Sequence, residues 1–214
     1  MEKERRYTMK KGKKKVQKGS FGYVAYERKK RLIITSIMFA IPLIIFFSGI
    51  AYAHTRKNIL TVVAIVGILP AAKCAVSLIM IWLQKPADLQ VVEQTEEKAG
   101  NLTRGYELMV TAYEGRLPLD SVVVCGNQVV CFCSAKKGKF DFMEKHMAKI
   151  LSSNGYYSVK VKIFRDFKPY LERISQLSRD PEKYREGIKF KPDERYPELS
   201  REELILHVLM AISV

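Results

Sequence analysis

Two long apolar stretches near the N-terminus constrain this chain more than any other feature. Residues 32–53 form a stretch of 22 residues without a charge, and residues 59–83 form one of 25 residues with a single charge, Lys73. At about 1.5 Å per residue, a helix of either length exceeds the roughly 30 Å hydrocarbon core of a bilayer. The sequence therefore predicts two transmembrane helices joined by a short loop, residues 54–58.

Lys73 does not prevent insertion of the second stretch. A lysine at the centre of a span costs roughly 2.5–3.5 kcal/mol, whereas each Leu, Ile or Val contributes about 0.3–0.6 kcal/mol in favour. The stretch holds 13 Leu, Ile and Val residues, which together contribute on the order of 6 kcal/mol. Pro70 removes a backbone donor shortly before Lys73 and predicts a kink. Lys73 therefore either binds an anionic lipid or an acidic partner residue, or reaches freed carbonyls, Ser77 or the membrane interface.

The distribution of basic residues predicts the orientation of the spans. Residues 1–31 hold 13 Lys and Arg against three acids, while residues 54–58 hold only two basic residues. Segments rich in Lys and Arg stay on the cytosolic side. We therefore expect a multi-pass protein of the cell (plasma) membrane, with a cytosolic tail at residues 1–31 and, after two crossings, a cytosolic C-terminal part. The first stretch is too long for the apolar part of a cleaved signal peptide, and a second span follows at once.

Two clusters of basic residues in the tail predict binding to anionic lipid headgroups of the bilayer. Each such charge near an anionic surface contributes about 1 kcal/mol. A protein partner is the alternative. Nucleic acid is disfavoured, because few aromatic residues interleave with the basic ones and the residues after the spans are nearly neutral. The predicted lipid-binding residues are Lys10, Lys11, Lys13, Lys14, Lys15, Arg28, Lys29, Lys30 and Arg31.

The rest of the chain is predicted to form a polar linker, residues 84–103, and a small α/β domain, residues 104–214. Gly126-Asn127 between two β-branched runs predicts a two-residue hairpin turn. Ser200-Arg201-Glu202-Glu203 is a capping box that opens the last helix. Apolar periodicity predicts the order α-β-β-α-β-α-α: helix 106–114, strands 121–125 and 128–135, helix 141–154, strand 157–164, and helices 167–177 and 200–212.

Part of this domain, residues 119–166, resembles the restriction-endonuclease-like core, in particular the nuclease-related domains of some bacterial membrane proteins. The resemblance implies an Asp on one strand and a Glu-x-Lys on the next, which hold Mg²⁺ so that it activates water. It is carried by the run Leu119-Asp120-Ser121-Val122-Val123-Val124, by the strand that leads through Ser134-Ala135-Lys136, and by Gly138 with the helix after it.

The resemblance implies Asp120, Ser134 and Lys136 as candidate catalytic residues. Asp120 matches the family's Asp and Lys136 its Lys, whereas Ser134 stands where the family has its metal-binding Glu. A two-residue turn also pairs Asp120 with Cys133, which places Asp120 on the opposite face of the sheet from Ser134 and Lys136. The missing carboxylate and the position of Asp120 on the opposite face of the sheet both argue against an active nuclease.

Other chemistry in the sequence is sparse. Cys131 and Cys133 share one strand face, where a disulfide is disfavoured, and no Cys-x-x-Cys pair exists, so we expect free thiols in a reducing compartment. The sequence shows no pattern for a metal or cofactor and predicts none. The leading hypothesis is a non-enzymatic, membrane-anchored binding or scaffold module. The alternatives are a degenerate metal-dependent nuclease-like hydrolase and a small transport or pore subunit, which would be a homo-oligomer.

Overall fold

The computed structural model describes residues 16–53, 59–188, 190 and 195–213. Val24–Lys85 form one compact unit, and the described residues before and after it in sequence form a second. Two sets of predicted features lie outside the described residues: the loop 54–58 and the tail lysines Lys10, Lys11, Lys13, Lys14 and Lys15.

Two long apolar helices make up the first unit. Helix α1 spans Tyr23–Ala53 and helix α2 spans Ile59–Leu83. Both are long and apolar enough to cross a membrane, and only 17% and 11% of their most apolar segments are buried within the protein. Helix α2 has the predicted bounds. Helix α1 begins before the predicted span, because no glycine or proline between Tyr23 and Arg31 stops it.

The two helices pack antiparallel, and side-chain contacts show their register. Thr35 Oγ1 donates a hydrogen bond to the Cys74 carbonyl at 3.3 Å. Further along α1, Pro42 lies beside Gly67, where a β-carbon would be 3.4 Å from the Pro42 ring. As positions advance along α1, their partners therefore move back along α2, so the start of α1 lies beside the end of α2.

The second unit is a mixed α/β domain built on a four-stranded sheet with the order β1-β2-β3-β4. Strands β1, β2 and β3 are antiparallel neighbours, and β4 runs parallel to β3. The strands are β1 Thr103–Ala112, β2 Gly115–Cys125, β3 Gln128–Phe132 and β4 Lys160–Phe164. The helices are α3 Leu89–Ala99, α4 Phe140–Ser153, α5 Phe167–Arg179, α6 Pro181–Arg185 and α7 Arg201–Ala211.

The helix predicted at residues 106–114 is wrong, because this segment belongs to β1. Tyr106, Leu108 and Val110 are buried, and β1 pairs with β2 along almost its whole length. Pairing across the sheet outweighs the weak local preference for a helix. The described order of the domain is therefore α-β-β-β-α-β-α-α-α, with α3 lying inside the segment predicted as a linker, residues 84–103.

Two local predictions are confirmed. Cys125 pairs with Gln128 across a two-residue turn, and Gly126 has φ 56°, a conformation that glycine adopts without strain. The last helix, α7, opens with the predicted capping box, in which Ser200 Oγ accepts from the Glu203 N–H and the Glu203 carboxylate accepts from the Ser200 N–H. Turn and cap residues act over a few positions, which is why both could be read from the sequence.

Helices cover both faces of the sheet and divide the apolar core into two layers. Helices α4 and α7 pack on one face through Met143, Met147, Leu151, Ile205 and Leu209, which contact Val122, Val124 and Cys131. Helices α3 and α5 pack on the other face through Val91, Ala99, Tyr170, Ile174 and Leu177, which contact Val123, Val130 and Phe132. The arrangement leaves β1 and β4 as the edges of the sheet.

Residues 16–21, which precede α1, pack on the α/β domain and are here called the N-terminal strap. The Tyr106 N–H of the edge strand β1 donates to the Gly19 carbonyl at 2.8 Å. Phe21 packs against an apolar cluster that includes Val92 and Tyr106. The strap therefore covers part of an edge that would otherwise expose backbone donors.

Candidate functional site

The predicted catalytic residues lie where β2 and β3 meet. Asp120 lies on β2 and is only 8% exposed, whereas Ser134 and Lys136 follow β3 and are exposed. Ser121 pairs with Phe132, as the two-residue turn requires. The Asp120 Oδ2 accepts a hydrogen bond from the Ser134 N–H at 2.5 Å. The structure thus brings Asp120 to Ser134 through a backbone group, and it shows no contact between Asp120 and Lys136 among the described residues.

Burial raises the pKa of the Asp120 carboxyl above its ordinary value, because loss of solvent penalises the charged form. The hydrogen bonds from Ser134 lower the pKa, and the charge of Asp88 raises it further. A single desolvated carboxylate is a poor ligand for a divalent cation unless further carboxylates join it. In the part of the chain that the structure describes, no three His, Cys, Asp or Glu side chains lie close enough together to hold a metal ion.

The thiols also lack the setting of a nucleophile. All four cysteines are free, and Cys125, Cys131 and Cys133 are buried. Burial raises the pKa of the Cys125 and Cys133 thiols to about 11, and it raises the pKa of the Cys131 thiol as well. Because the thiolate is the reactive form, these residues are core side chains rather than catalytic ones.

Arg28, predicted to bind lipid, joins α1 to the end of α2. Its guanidinium donates to the Ile81 carbonyl at 3.2 Å, to the Trp82 carbonyl at 2.9 Å and to the Gln84 carbonyl. The last carbonyls of a helix lack partners within the helix and carry the negative end of its dipole, so a cation satisfies both needs. Arg28 therefore caps α2 from the neighbouring helix.

Arg31 makes a second connection between the helices. Its Nη1 donates to the Ser77 hydroxyl at 2.7 Å and to the Ser77 carbonyl at 3.1 Å, and its Nε pairs with the buried Glu27 at 3.2 Å. Glu27 also pairs with Lys30 at 3.7 Å. The run of residues 28–31 thus divides into two arginines whose donors bind within the hairpin and two lysines, Lys29 and Lys30, that remain exposed.

Lys73 and Pro70 lie on the outward side of α2, and the helix continues through Pro70 to Leu83. Ala71 is buried on the side that faces α1. Lys73 is two positions further and therefore rotated by about 200° around the helix. It is exposed and forms no hydrogen bond or ion pair with the described residues. Its charge is therefore directed away from α1.

Sequence reasoning missed a group of charges at the β2–β3 turn. Glu202 of α7 accepts from the Gly126 N–H at 2.7 Å and from two nitrogens of Arg185 at 2.9 Å. Arg201 donates to the Gly126 carbonyl at 2.8 Å. Burial alone would raise the pKa of Glu202, but the Arg185 and Gly126 hydrogen bonds lower it below its ordinary value. These residues are far apart in the sequence, so no local spacing predicts their contacts, and only the structure identifies this group of charges.

A cleft of about 730 Å³ opens where the parallel strands β3 and β4 end. Such positions are common ligand sites in α/β proteins. Lys139 pairs with Glu114 at 2.7 Å, Lys162 pairs with Glu144 at 3.1 Å, and the remaining charged side chains, Asp141, Arg165 and Asp166, are of both signs. The cleft therefore presents no strong preference for a ligand of either charge.

Comparison of the chain with models of known protein families, with curated proteins and with solved structures gives no match. The candidate functional features therefore stand on geometry alone. They are the exposed lysines at one end of the helical hairpin and the contact between Asp120 and Ser134.

Proposed function

We propose that this chain is a membrane-anchored binding or scaffold module, whose two spans hold a non-enzymatic α/β domain at the cytosolic face of the plasma membrane. One observation carries the proposal: segments from both sides of the helical hairpin form the same domain. The Gly19 carbonyl accepts from the Tyr106 N–H at 2.8 Å, and Lys18 donates to the Ser213 carbonyl. A domain built from chain that precedes the first span and chain that follows the second needs both segments on one side of the bilayer.

The placement of charge supports the cytosolic side. The exposed lysines Lys29, Lys30 and Lys85 lie at the end of the hairpin where α1 begins and α2 ends, and the basic tail precedes them. Basic residues that flank spans favour the cytosol and its anionic leaflet. Anionic lipid headgroups are therefore the proposed ligands of these lysines and of the tail, and a protein partner is the proposed ligand of the domain.

Cysteine accessibility on intact cells tests this topology. Lys57→Cys, between the spans, should react with a membrane-impermeant maleimide from outside. Gln94→Cys, on the exposed side of α3, should react only after lysis. The buried native thiols Cys125 and Cys133 give little background, because burial raises the pKa of both to about 11. Labelling of Gln94→Cys from outside, or release of the intact chain by alkaline carbonate, would exclude the proposed anchoring.

A divergent metal-dependent nuclease-like hydrolase is the second candidate, and one contact favours it. The Asp120 Oδ2 lies 2.5 Å from the Ser134 nitrogen. The Asp and the position of the family's Glu are therefore neighbours, as the resemblance requires. Ser134 supplies no carboxylate, so the site lacks half of the charge that would hold a divalent cation.

Titration of the full chain in detergent with Mn²⁺ separates the two candidates. A binding module should show no saturable site. Ser134→Glu should then create a weak one, because it adds an exposed carboxylate beside Asp120, and the double variant with Asp120→Ala should lose it again. Saturable binding by the unaltered chain that disappears in Asp120→Ala would favour the hydrolase instead.

A further inference from the structure

We infer that Lys73 binds the phosphate of an anionic lipid on the outward face of α2, in the leaflet where α1 begins and α2 ends. The inference rests on the proposed membrane anchoring and deepens it by naming a residue, a face and a ligand class. Three properties of Lys73 carry it: its depth, its direction and the absence of an acid within the spans that could neutralise it.

The contacts between the helices give the depth of Lys73. Arg31, the last basic residue before the first apolar stretch, contacts Ser77 at 2.7 Å. Lys73 precedes Ser77 by about one helical turn, so its backbone lies roughly 5–6 Å further into the apolar part of the hairpin. The lysine side chain is about as long as this distance, so its ammonium can extend to the level of Ser77, where headgroups begin.

The direction of Lys73 places it among hydrocarbon. Leu69 and Val76 lie within one turn of Lys73 and are 71% and 58% exposed, and Val66, one turn further down, is 59% exposed. Residues three and four apart share one side of a helix. This face therefore offers an aliphatic strip for acyl chains with a single cation within it, between Leu69 and Val76, which matches the chemistry of an anionic lipid.

The spans themselves cannot supply the counter-charge. Residues 32–53 and 59–83 contain no Asp or Glu, so the spans of a second copy would bring no carboxylate to this depth. Glu27 is buried in the hairpin and already pairs with Arg31 at 3.2 Å and with Lys30 at 3.7 Å. The anion therefore comes from outside the spans, and lipid phosphate is the anion that the bilayer itself provides at this level.

Quenching by brominated lipids tests the site in the reconstituted full chain. Trp82 is the only tryptophan, so Trp82→Phe combined with Val76→Trp gives one reporter on the same face as Lys73. Brominated phosphatidylglycerol should quench this reporter about two- to fivefold more strongly than brominated phosphatidylcholine at equal mole fraction, which is the enrichment that one lysine near an anionic lipid provides.

Matched variants separate the site from general attraction. Lys73→Met should lower the quenching ratio toward one, while Lys149→Met, the same change at an exposed lysine of the α/β domain, should leave it unchanged. A reporter at Val63 in the other half of α2 should give a ratio of one throughout. A quenching ratio of one beside Lys73, with Lys73 unchanged, overturns the inference and is expected if a protein carboxylate is the true partner. A ratio that stays the same in Lys73→Met overturns the inference as well. Failure of the anchoring itself is distinguishable, because the chain would then not float with the vesicles.

Discussion

Asp120 is a buried ionisable residue, and its burial disfavours the ionised form of its carboxyl. Because burial raises the pKa of its carboxyl, the folded state holds the ionised form less well than the unfolded chain does. The resulting loss of stability is present above the folded pKa and disappears as the pH falls through it. A group of this kind lowers the stability of the domain at neutral pH.

Replacing Asp120 by Asn should therefore stabilise the domain. The amide oxygen still accepts from the Ser134 N–H, but the desolvated charge is gone, so we expect the unfolding temperature at pH 7 to rise by about 2–5 °C. The temperature at which the buried thiols of Cys125, Cys131 and Cys133 react with a fluorogenic maleimide reports this unfolding. Asp120→Ala is the control, because it also removes the acceptor and should stabilise less. An unchanged or lower unfolding temperature in Asp120→Asn would contradict the prediction.

Glu202 should show the opposite pH dependence. Its pKa is lowered in the folded state, so its contribution to stability is present above its ordinary pKa and is lost as the pH falls through the folded value. Glu202→Gln should lower the free energy of unfolding at pH 7 by about 1–3 kcal/mol, because Arg185 loses a charged acceptor. Circular dichroism melts should show the difference from the parent shrinking as the pH falls below the ordinary pKa of a glutamate. The exposed Glu203→Gln tests the capping box alone, and its effect should not exceed that of Glu202→Gln.

Sequence reasoning identified Asp120, Ser134 and Lys73 but not Glu202 or the role of Arg28. The first three stand out locally, either within a motif or as a charge in an apolar run. Glu202 acquires its partners only when α7 packs against the turn at Gly126, and Arg28 only when α2 folds back along α1. Their roles depend on contacts between distant parts of the chain, which no local pattern encodes.

Among the elements, α2 was predicted most accurately and β1 least. The apolar run of α2 ends at polar residues that also end the helix, so hydropathy and helix bounds coincide. Helix α1 extends beyond its apolar run, because helix formation depends on the backbone rather than on hydropathy. Strand β1 was mistaken for a helix, since its conformation follows from pairing with β2, a partner that the local sequence does not reveal.

Arg28 should matter to the helical hairpin far more than the adjacent Lys29. Arg28→Gln removes charged hydrogen bonds to the carbonyls of Ile81 and Trp82 and should lower the stability of the helix pair by about 1–3 kcal/mol. Lys29→Gln, a change at an exposed neighbour, should have little effect. Unfolding of the full chain in sodium dodecyl sulfate, followed by the fluorescence of Trp82, measures both. Equal effects would mean that Arg28 does not hold the end of α2.

At the scale of the whole molecule, the N-terminal strap is the feature that the sequence concealed. The sequence predicts a free basic segment here, because the residues that the strap contacts lie after both apolar helices. Gly19 meets Tyr106, and Lys18 meets Ser213 across 195 positions of sequence. The helical hairpin is therefore inserted within the sequence of the domain rather than attached ahead of it.

Phe21→Ala tests this integration. Phe21 is half-buried against the cluster with Val92 and Tyr106, so its truncation should destabilise the α/β domain by about 1–2 kcal/mol, less than the roughly 3–5 kcal/mol of a fully buried phenylalanine. Tyr113→Ala is the matched control, because this aromatic side chain is fully exposed and should change nothing. The reactivity of the buried thiols on heating measures both, and equal results would mean that the strap does not stabilise the domain.

Contact between Lys18 and the Ser213 carbonyl also imposes an order on biosynthesis. The strap leaves the ribosome before either helix, whereas its binding surface on β1 and beyond α7 is translated after both helices. Under the proposed anchoring, a nascent chain that inserted only one helix would leave the strap and its surface in different compartments. The edge of β1 would then stay uncovered, so under this anchoring the complete domain forms only when both helices cross.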